Sequence, residues 1–361
     1  MKKVVYIKEV DRIYFSANNK DCFGQSWDNE EVLLLERLKM LYEVRYSDDP
    51  DIVLAYVPNE QVRGYDYGKY RDKILLHWIA ESIYPDFNAY DYIISAWHNI
   101  QIPNRYLYIP YSVLCCNLTR ESYDLMRIKH KIKDEYELLD RDFCSFTVSN
   151  GYFAGKEREE FFKLLSLYKK VDSGGGFLNN IGYRVSDKLA FDHKHKFSIV
   201  FENSKNSFIT EKIDMAFAGQ TIPIYWGNSN ISDIYNANAF VNCHDYDSFE
   251  EVVERIKEID NDNDLYLAML REPALLMDRP KEYYINQLDD FLINIVEKGE
   301  RFRWNYGWSE RMQEVRIAGM KKLYRKKNIK SLFLRIARII GYPVRKTKII
   351  LKIKDRIYRH I

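Results

Sequence analysis

Apolar residues along the chain follow two patterns, short continuous runs and longer stretches with helical spacing. The runs have the length of buried strands, and stretches such as 29–42, with Val32, Leu35 and Leu38, place apolar residues on one helical face. This alternation is typical of proteins in which helices cover parallel sheets. In the N-terminal half it predicts strands at 3–7, 51–57, 73–80, 90–97 and 105–109, and a charged helix at 121–138.

A second unit of the same kind is predicted from residue 143 onward. It has predicted strands at 143–149, 197–201, 221–226 and 241–243, and predicted helices at 156–169, 211–218, 248–259, 264–270 and 282–297. Its central stretch, 196–227, predicts a strand, a polar loop, a helix capped by Thr210 and ended before Gly219, and a second strand. In such units, ligands bind beyond the carboxyl ends of the strands, where a helix N-terminus offers free N–H groups.

Composition supports a folded protein with two cores. The chain has 361 residues, of which 46% are hydrophobic and 15% aromatic, and this excludes an intrinsically disordered protein. No apolar run approaches the roughly 18 residues of a membrane-spanning helix, and no apolar signal segment is predicted at the N-terminus. The five cysteines lack paired CxxC spacing, so we expect reduced thiols in a cytosolic protein.

Charge is distributed unevenly along the chain. Residues 321–361 hold fifteen Lys or Arg and one acid, Asp355, a balance of +14; since the whole chain carries +2, residues 1–320 carry −12. Apolar residues recur at helical spacing on both sides of Gly341, which predicts two short basic amphipathic helices. We expect them to bind an anionic membrane surface, where each cation contributes about 1 kcal/mol. Nucleic acid is the competing partner, disfavoured because base-stacking aromatics are few.

Three polar residues of the central stretch fall where a ligand would bind. Asn203 follows the first strand, and Glu211 and Lys212 lie in the first turn of the predicted helix. An amide, a carboxylate and an ammonium group together suit a sugar nucleotide. The same residue types are also common as helix caps and solvated surface, so the spacing alone leaves both interpretations open.

Three short blocks point to a known family. FEN at 201–203, TEK at 210–212 and TIPIYWG at 221–227 stand in order at nearly fixed spacing. In these blocks the chain resembles the α-1,3/4-fucosyltransferases of glycosyltransferase family 10, and the resemblance extends over roughly residues 73–250. It implies an α/β fold of GT-B architecture, in which two Rossmann-like domains face each other across a cleft.

The resemblance also implies roles for the central residues. Lys212 would neutralise the diphosphate of a GDP-fucose donor as a point charge, Glu211 would accept hydrogen bonds from nucleotide or sugar hydroxyls, and Asn203 would hold the ribose or phosphate region. The family usually has Tyr three residues before the Glu, whereas this chain has Phe208 after a loop one residue shorter. Phe208 is therefore predicted to contact the donor by stacking, without a phenolic hydrogen bond.

Arg158 begins the apolar face of the predicted helix 156–169. A solvated arginine is the ordinary interpretation of such a residue. However, the order of Ser149, Arg158 before EEFFKLL, and Gly174–Gly176 follows the family's second donor block. The resemblance implies that Arg158 meets the diphosphate, with Lys156 as the alternative, and a guanidinium suits a leaving group that gains negative charge.

Glu81 directly follows a predicted strand, at the edge that would face the cleft. By itself it is an ordinary loop acid. The block ESIYPDFNAYDY that it begins resembles the acceptor-side segment of the family, in which the corresponding Glu is the proposed catalytic base. An inverting transfer needs such a carboxylate to take the proton of the acceptor hydroxyl. Asp86 and Asp91 are weaker alternatives.

No metal or cofactor is predicted, and GDP-fucose is the expected donor substrate. The Asp-x-Asp spellings at 49–51, 140–142, 245–247 and 260–264 are interpreted as turn or helix-start acids. His193 and His195 flank a Lys without a carboxylate or cysteine at ligand spacing. This agrees with a family that uses Arg and Lys in place of a metal ion.

The predicted organisation has three parts. Residues 1–142 would form an acceptor-binding Rossmann-like domain, 143–310 a GDP-fucose-binding one, and 311–361 a basic, amphipathic, membrane-docking tail. The predicted activity is inverting, metal-independent α-1,3-fucosyl transfer to an N-acetylglucosamine-containing surface polysaccharide or lipopolysaccharide, at the inner face of the cytoplasmic membrane. An α-1,4 linkage, another GDP-sugar, and a non-catalytic membrane-associated nucleotide-sugar-binding protein remain open.

Overall fold

The chain forms two parallel sheets. The computed structural model describes residues 2–10, 33–56, 70, 72–80, 82–115, 118–127, 135–149, 155–205, 208–302, 315 and 319. Within these ranges, eleven strands form one six-stranded and one five-stranded sheet, and every strand pair is parallel. The predicted α/β class is therefore confirmed. The basic tail at 321–361 lies outside the described residues.

The first sheet has the strand order β2-β1-β3-β4-β5-β6. Its strands are β1 (Val4–Val10), β2 (Glu43–Tyr46), β3 (Ile52–Tyr56), β4 (Ile74–Ile79), β5 (Tyr92–Ser95) and β6 (Tyr106–Tyr108). The central strand β3 is buried along its whole length, as expected for a parallel sheet covered on both faces. The edge strand β2 was not predicted, because EVRY is polar and mostly exposed and shows no apolar run.

The second sheet has the order β11-β10-β9-β7-β8. Its strands are β7 (Asp142–Phe146), β8 (Val171–Ser173), β9 (His195–Phe201), β10 (Ile222–Trp226) and β11 (Val241–Asn242). The central stretch folds as predicted, because β9 and β10 pair in parallel register, with Ile199 beside Ile224, around one crossover helix. β8 was missed because its three residues, VDS, are too few to show a pattern.

Helices connect the strands and cover the sheets. They are α1 (Leu33–Leu41), α2 (Tyr111–Leu114), α3 (Arg120–Arg127), α4 (Glu135–Leu139), α5 (Glu157–Ser166), α6 (Lys188–His193), α7 (Glu211–Ala218), α8 (Phe249–Asn261), α9 (Asn263–Arg271) and α10 (Lys281–Lys298). The predicted helix 121–138 corresponds to α3 and α4, and the residues between them lie outside the described part. The short helices α2 and α6 were not predicted.

The long helix α10 packs on the first sheet although it follows the second. The guanidinium of Arg37 on α1 donates two hydrogen bonds to Asp289, at 2.9 and 2.6 Å. Near the other end of α10, the Tyr42 hydroxyl and the Lys3 ammonium both donate to Glu297. The C-terminal part of the described chain is thus attached to the N-terminal sheet. The predicted domain limits stay a prediction.

Helix α7 also joins the two halves. Its residues Ile213, Ala216 and Phe217 belong to the apolar core that includes Tyr123 and Met126 of α3. A second apolar core lies between β7, β9, β10 and helices α5, α8 and α9. One helix of the second unit is therefore packed against elements of the first.

Two further sequence expectations concern the described residues. Cys115, Cys144 and Cys243 are not joined in disulfide bonds, whereas Cys22 and Cys116 lie outside the described ranges. Among the helices that can be described, none has both the length and the apolar character needed to cross a membrane.

Candidate functional site

The carboxyl ends of strands from both sheets meet. Trp97, just beyond β5 of the first sheet, forms an antiparallel bridge with Phe208, which lies between β9 and α7. The neighbouring His98 ring nitrogen Nδ1 lies 3.4 Å from the Asn228 amide nitrogen, just beyond β10. In open parallel sheets this edge is where ligands bind. The candidate site therefore lies in the crevice between the two units.

Arg158 lies near the start of α5 and points to this edge. Its side chain is buried, and its Nη2 atom donates to the Phe201 carbonyl oxygen at 2.6 Å and to Asn203 Oδ1 at 3.0 Å. Burial lowers the pKa of the Arg158 guanidinium, and the nearby Glu202 carboxylate opposes that shift. Arg158 is thus a fixed cation beside the end of β9 and not a solvated surface arginine.

The Glu202 carboxylate lies near both cations, Arg158 and Lys212. It follows β9 directly and is 3% exposed. Its Oε1 atom accepts from the Thr210 backbone N–H and hydroxyl, each at 2.9 Å. Its Oε2 atom accepts from the Lys212 ammonium at 3.0 Å. Sequence reasoning did not single out Glu202, although an acid between Phe201 and Asn203 at the end of an apolar strand was a visible signal.

Lys212 is held by two neighbours at the N-terminus of α7. Its ammonium donates to Glu202 and, at 2.8 Å, to the hydroxyl of Thr210. Thr210 is the helix N-cap and also accepts from the Lys212 backbone N–H. Burial acts to lower the pKa of Lys212, but the carboxylates of Glu202 and Glu211 outweigh it and raise the pKa above its ordinary value. Lys212 is therefore charged at neutral pH.

The other residues predicted to bind the donor differ in their exposure and contacts. Asn203 is exposed and accepts the Arg158 hydrogen bond, and Glu211 is half-buried beside Lys212. Lys156, the alternative to Arg158, is exposed at the N-cap of α5 and makes no side-chain capping bond. The structure brings Arg158, Asn203, Glu211 and Lys212 to one edge of the second sheet. Their roles toward a donor stay predictions.

Phe208 has a different environment from the one expected of a stacking platform. It is 2% exposed, and its ring packs against Trp97 and Tyr111, with ring centroids 5.9 and 5.7 Å away. Both partners belong to the first unit, so the ring joins the two units at the base of the crevice. The predicted donor contact of Phe208 stays a prediction.

Glu81, the predicted base, lies outside the described residues. The described chain nearby places Tyr84 against Trp97, with ring centroids 5.1 Å apart. The two alternatives have structural partners. Asp91 is fully buried and accepts from the backbone N–H groups of Leu75 and Phe302, and Asp86 accepts from the Asn88 N–H in a turn.

The glycine triplet allows two backbone segments to approach closely. A Cβ atom at Gly175 would overlap the Val148 carbonyl oxygen, and one at Gly176 would lie 2.6 Å from the Ser149 carbonyl oxygen. The same Val148 oxygen accepts from the Phe177 N–H at 2.9 Å. Glycine is required here because no side chain fits between the loops that follow β7 and β8.

One histidine does have carboxylates nearby. Atoms of Asp142, Asp172 and His195 lie within 4.8 Å of one another, at the start of β7, on β8 and at the start of β9. Neither acid stands at ligand spacing from His195 in the sequence, because these residues are far apart in the chain and are brought together only by the parallel sheet. His195 already contacts the Phe191 carbonyl oxygen and Asp172, and Lys170 pairs with Asp172. The prediction of no metal stays a prediction.

Known proteins resemble the chain in sequence. The family model for glycosyltransferase family 10 (fucosyltransferase), C-terminal part, matches residues 141–271. The α-(1,3)-fucosyltransferase of Helicobacter pylori is 31% identical over 301 residues, which are 73% of this chain and 61% of that protein. The human 4-galactosyl-N-acetylglucosaminide 3-α-L-fucosyltransferase 9 is 33% identical over 103 residues, covering 28% of this chain and 24% of that protein.

Solved structures share the fold. A crystal structure of an α1,3-fucosyltransferase matches with a TM-score of 0.67 at 24% identity, covering 85% of this chain and 93% of that one. The predicted fold of two Rossmann-like units across a cleft is thus confirmed. The chain spans about three fifths of the length of the bacterial relative. Residues 141–271 thus match the C-terminal part of the glycosyltransferase family 10 (fucosyltransferase) model, and the chain resembles a fucosyltransferase over 73% of its length.

Proposed function

We propose that the protein transfers L-fucose from GDP-fucose to a hydroxyl of an N-acetylglucosamine-containing glycan, with inversion at the anomeric carbon and without a metal ion. The observation that carries this proposal is the arrangement of Arg158 and Lys212 around Glu202 at the carboxyl edge of the second sheet. Two cations and a helix N-terminus suit a diphosphate. A fold relative crystallised with GDP-fucose supports the same donor.

In this mechanism the donor diphosphate lies against Arg158 and Lys212. The departing GDP gains negative charge as the bond to fucose C1 breaks, and cations already held in place stabilise that charge without reorganising. The guanidinium can bind two phosphate oxygens, whereas the ammonium acts as a point charge. These two residues supply the charge compensation that a divalent metal gives in other transferases.

Glu81 is the proposed base. It takes the proton of the acceptor hydroxyl while the oxygen attacks C1 from the face opposite GDP, which inverts the configuration. Asp91 is a poor alternative because its two oxygens each accept a backbone hydrogen bond. The variant Glu81→Gln should bind GDP as the wild type does and lose about 10²-fold or more in turnover. Wild-type turnover in this variant would show that Glu81 is not the base.

The acceptor class follows from the relatives. The name of the human relative specifies a 4-galactosyl-N-acetylglucosaminide, which supports a β-galactoside of N-acetylglucosamine as acceptor. The test is incubation with GDP-fucose and an oligosaccharide array, with products read by mass. Glu81→Gln is the inactive control, and a panel of other GDP-sugars tests donor choice. Failure of GDP to raise the melting temperature would overturn the proposed donor site.

We also propose that the basic segment 321–361 holds the enzyme on the inner face of the cytoplasmic membrane. Its +14 balance and helical apolar spacing support this proposal. Flotation with vesicles containing anionic lipid, with and without residues 321–361, tests it. Binding that is unaffected by the deletion would contradict it.

A further inference from the structure

The Glu202 carboxylate has no step in the transfer chemistry proposed above, yet it accepts several hydrogen bonds. Three donors reach it at 2.9–3.0 Å, namely the Thr210 N–H, the Thr210 hydroxyl and the Lys212 ammonium. It is 3% exposed, so solvent does not compete for these bonds. A buried carboxylate with such partners has a structural or a functional reason to be retained.

We propose that Glu202 is a positioning residue for the donor site: it holds the Lys212 ammonium in place at the N-terminus of α7, where the diphosphate binds, without touching the donor itself. The identity of the ligand rests on the proposed function. The geometry of the lysine does not depend on it.

The Lys212 ammonium keeps one hydrogen-bond donor for a ligand. A lysine ammonium has three N–H donors. Among the described residues, Glu202 and Thr210 accept two of them, at 3.0 and 2.8 Å. The Lys212 side chain is 26% exposed, so the third donor can reach a ligand in the crevice. A flexible four-carbon side chain thereby has one orientation before the ligand arrives.

The Glu202 carboxylate also offsets the repulsion between Arg158 and Lys212. Arg158 and Lys212 are close enough to repel each other, since Arg158 acts to lower the pKa of Lys212. Glu202 acts in the opposite direction on both cations. The carboxylate therefore allows two neighbouring cations to remain charged side by side. Without it, burial and repulsion would both favour the neutral amine of Lys212.

The end of β10 limits the position of Glu202 through close contacts. A Cβ atom at Gly227 would lie 2.6 Å from Glu202 Cγ and 2.7 Å from the Tyr225 hydroxyl oxygen. The Glu202 N–H also donates to the Trp226 carbonyl oxygen at 2.8 Å. The end of β10 thus contacts Glu202, and glycine at 227 leaves the room that the Glu202 side chain occupies.

The test uses three variants and one matched control in the full chain. Glu202→Gln removes the charge at nearly constant shape, Glu202→Asp keeps the charge on a shorter side chain, and Gly227→Ala displaces Glu202 without changing any charge. The control is Asp260→Asn. Asp260 is also a buried acid paired with lysine, here with both Lys169 and Lys196. Lys196 lies near the amino end of β9, about 20 Å along the strand from Glu202.

The first measurement needs no donor. Lysine labelled with ¹³C at Cε is titrated by NMR, with Lys212→Arg to assign the signal. In Glu202→Gln, Lys212 should titrate at lower pH than in the wild type, because the carboxylate that stabilises its charge is gone. Glu202→Asp should restore most of the shift, and Asp260→Asn should leave it unchanged. Wild-type titration in both Glu202→Gln and Gly227→Ala would overturn the proposal.

The second measurement is the pH profile of kcat/KM for GDP-fucose between about pH 7 and 10. Glu202→Gln should raise KM about tenfold, equivalent to about 1.4 kcal/mol, and move the alkaline limb to lower pH. Asp260→Asn should lower only the melting temperature. An unchanged KM in a folded Glu202→Gln protein would contradict positioning. If the wild type does not use GDP-fucose, the proposed function fails while the NMR titration still decides the role of Glu202.

Discussion

Two carboxylates, one beside the start of helix α7 and one on the helix itself, are almost equally buried but have different partners. Glu202, 3% exposed, faces the first turn of the helix and accepts from the Lys212 ammonium. Asp214, 2% exposed, lies one turn further along and accepts from the Tyr235 hydroxyl at 2.6 Å. One acid has a cation beside it, whereas the other has a neutral hydroxyl group.

The lack of a cationic partner within the described chain affects the pKa of Asp214. Burial raises its pKa from 3.8 to about 6, although the hydrogen bond from Tyr235 opposes the shift, and the carboxylates of Glu211 and Glu202 add to it. The comparison shows that burial alone does not determine how an acid is accommodated. The cation at Glu202 belongs to the proposed donor site, and the lack of a cation at Asp214 among the described residues makes that acid a source of pH-dependent stability.

The largest effect is expected from removing the cation. Lys212→Met leaves Glu202 buried without its charged partner, so the free energy of unfolding should fall by about 3 kcal/mol or more, and transfer should be lost. Chemical denaturation and the fucosyl-transfer assay measure the two effects. The double variant Lys212→Met with Glu202→Gln should recover stability without activity. No recovery would show that the loss comes from packing and not from the unpaired charge.

A smaller effect of opposite sign is expected at the other acid. Because the pKa of Asp214 is about 6 in the folded protein against 3.8 ordinarily, the folded state binds more protons between these pH values. The contribution of Asp214 to stability is therefore greatest below about pH 4 and is lost as the pH rises through about 6. Asp214→Asn should be more stable than the wild type by about 3 kcal/mol at pH 8 and similar to it at pH 4. Denaturation at both pH values checks this. A difference that does not vary with pH would contradict it.

The smallest effect concerns the hydroxyl partner. Tyr235→Phe removes the 2.6 Å hydrogen bond to Asp214 and should lower the free energy of unfolding by about 1 kcal/mol at pH 8. The loss should shrink at low pH, where the protonated acid needs the bond less. A double-mutant cycle with Asp214→Asn measures the coupling. Equal losses in both backgrounds would show that the bond to the carboxylate is not the cause.

The central unit could be predicted because its information is local. An apolar run, the cap Thr210, a helix and a second apolar run follow one another within about thirty residues, and β9, α7 and β10 form there as expected. The edge strands β2 and β8 were missed because a short or polar strand is defined by its neighbour and not by its own pattern.

The site was predicted in part for the same reason. Lys212 lies in a recognisable helix start, so its position followed from the sequence. The role of Glu202 as the shared acceptor, and the need for glycine at 227, depend on how β9 and β10 end side by side. The burial of Phe208 against Trp97 depends on contact between residues more than one hundred positions apart. Such contacts are set by tertiary packing, which a single sequence does not display.

The position of α7 has a consequence for attempts to divide the protein. Its residue Ile213 belongs to the same apolar core as Tyr123 of the first unit, and α10 is fastened to α1 through Arg37 and Asp289. Two fragments made by cleaving the chain just before β7 would each expose an apolar face that the other normally covers. We therefore expect the separate fragments to aggregate when expressed alone, and to reassemble into one particle when they are produced together.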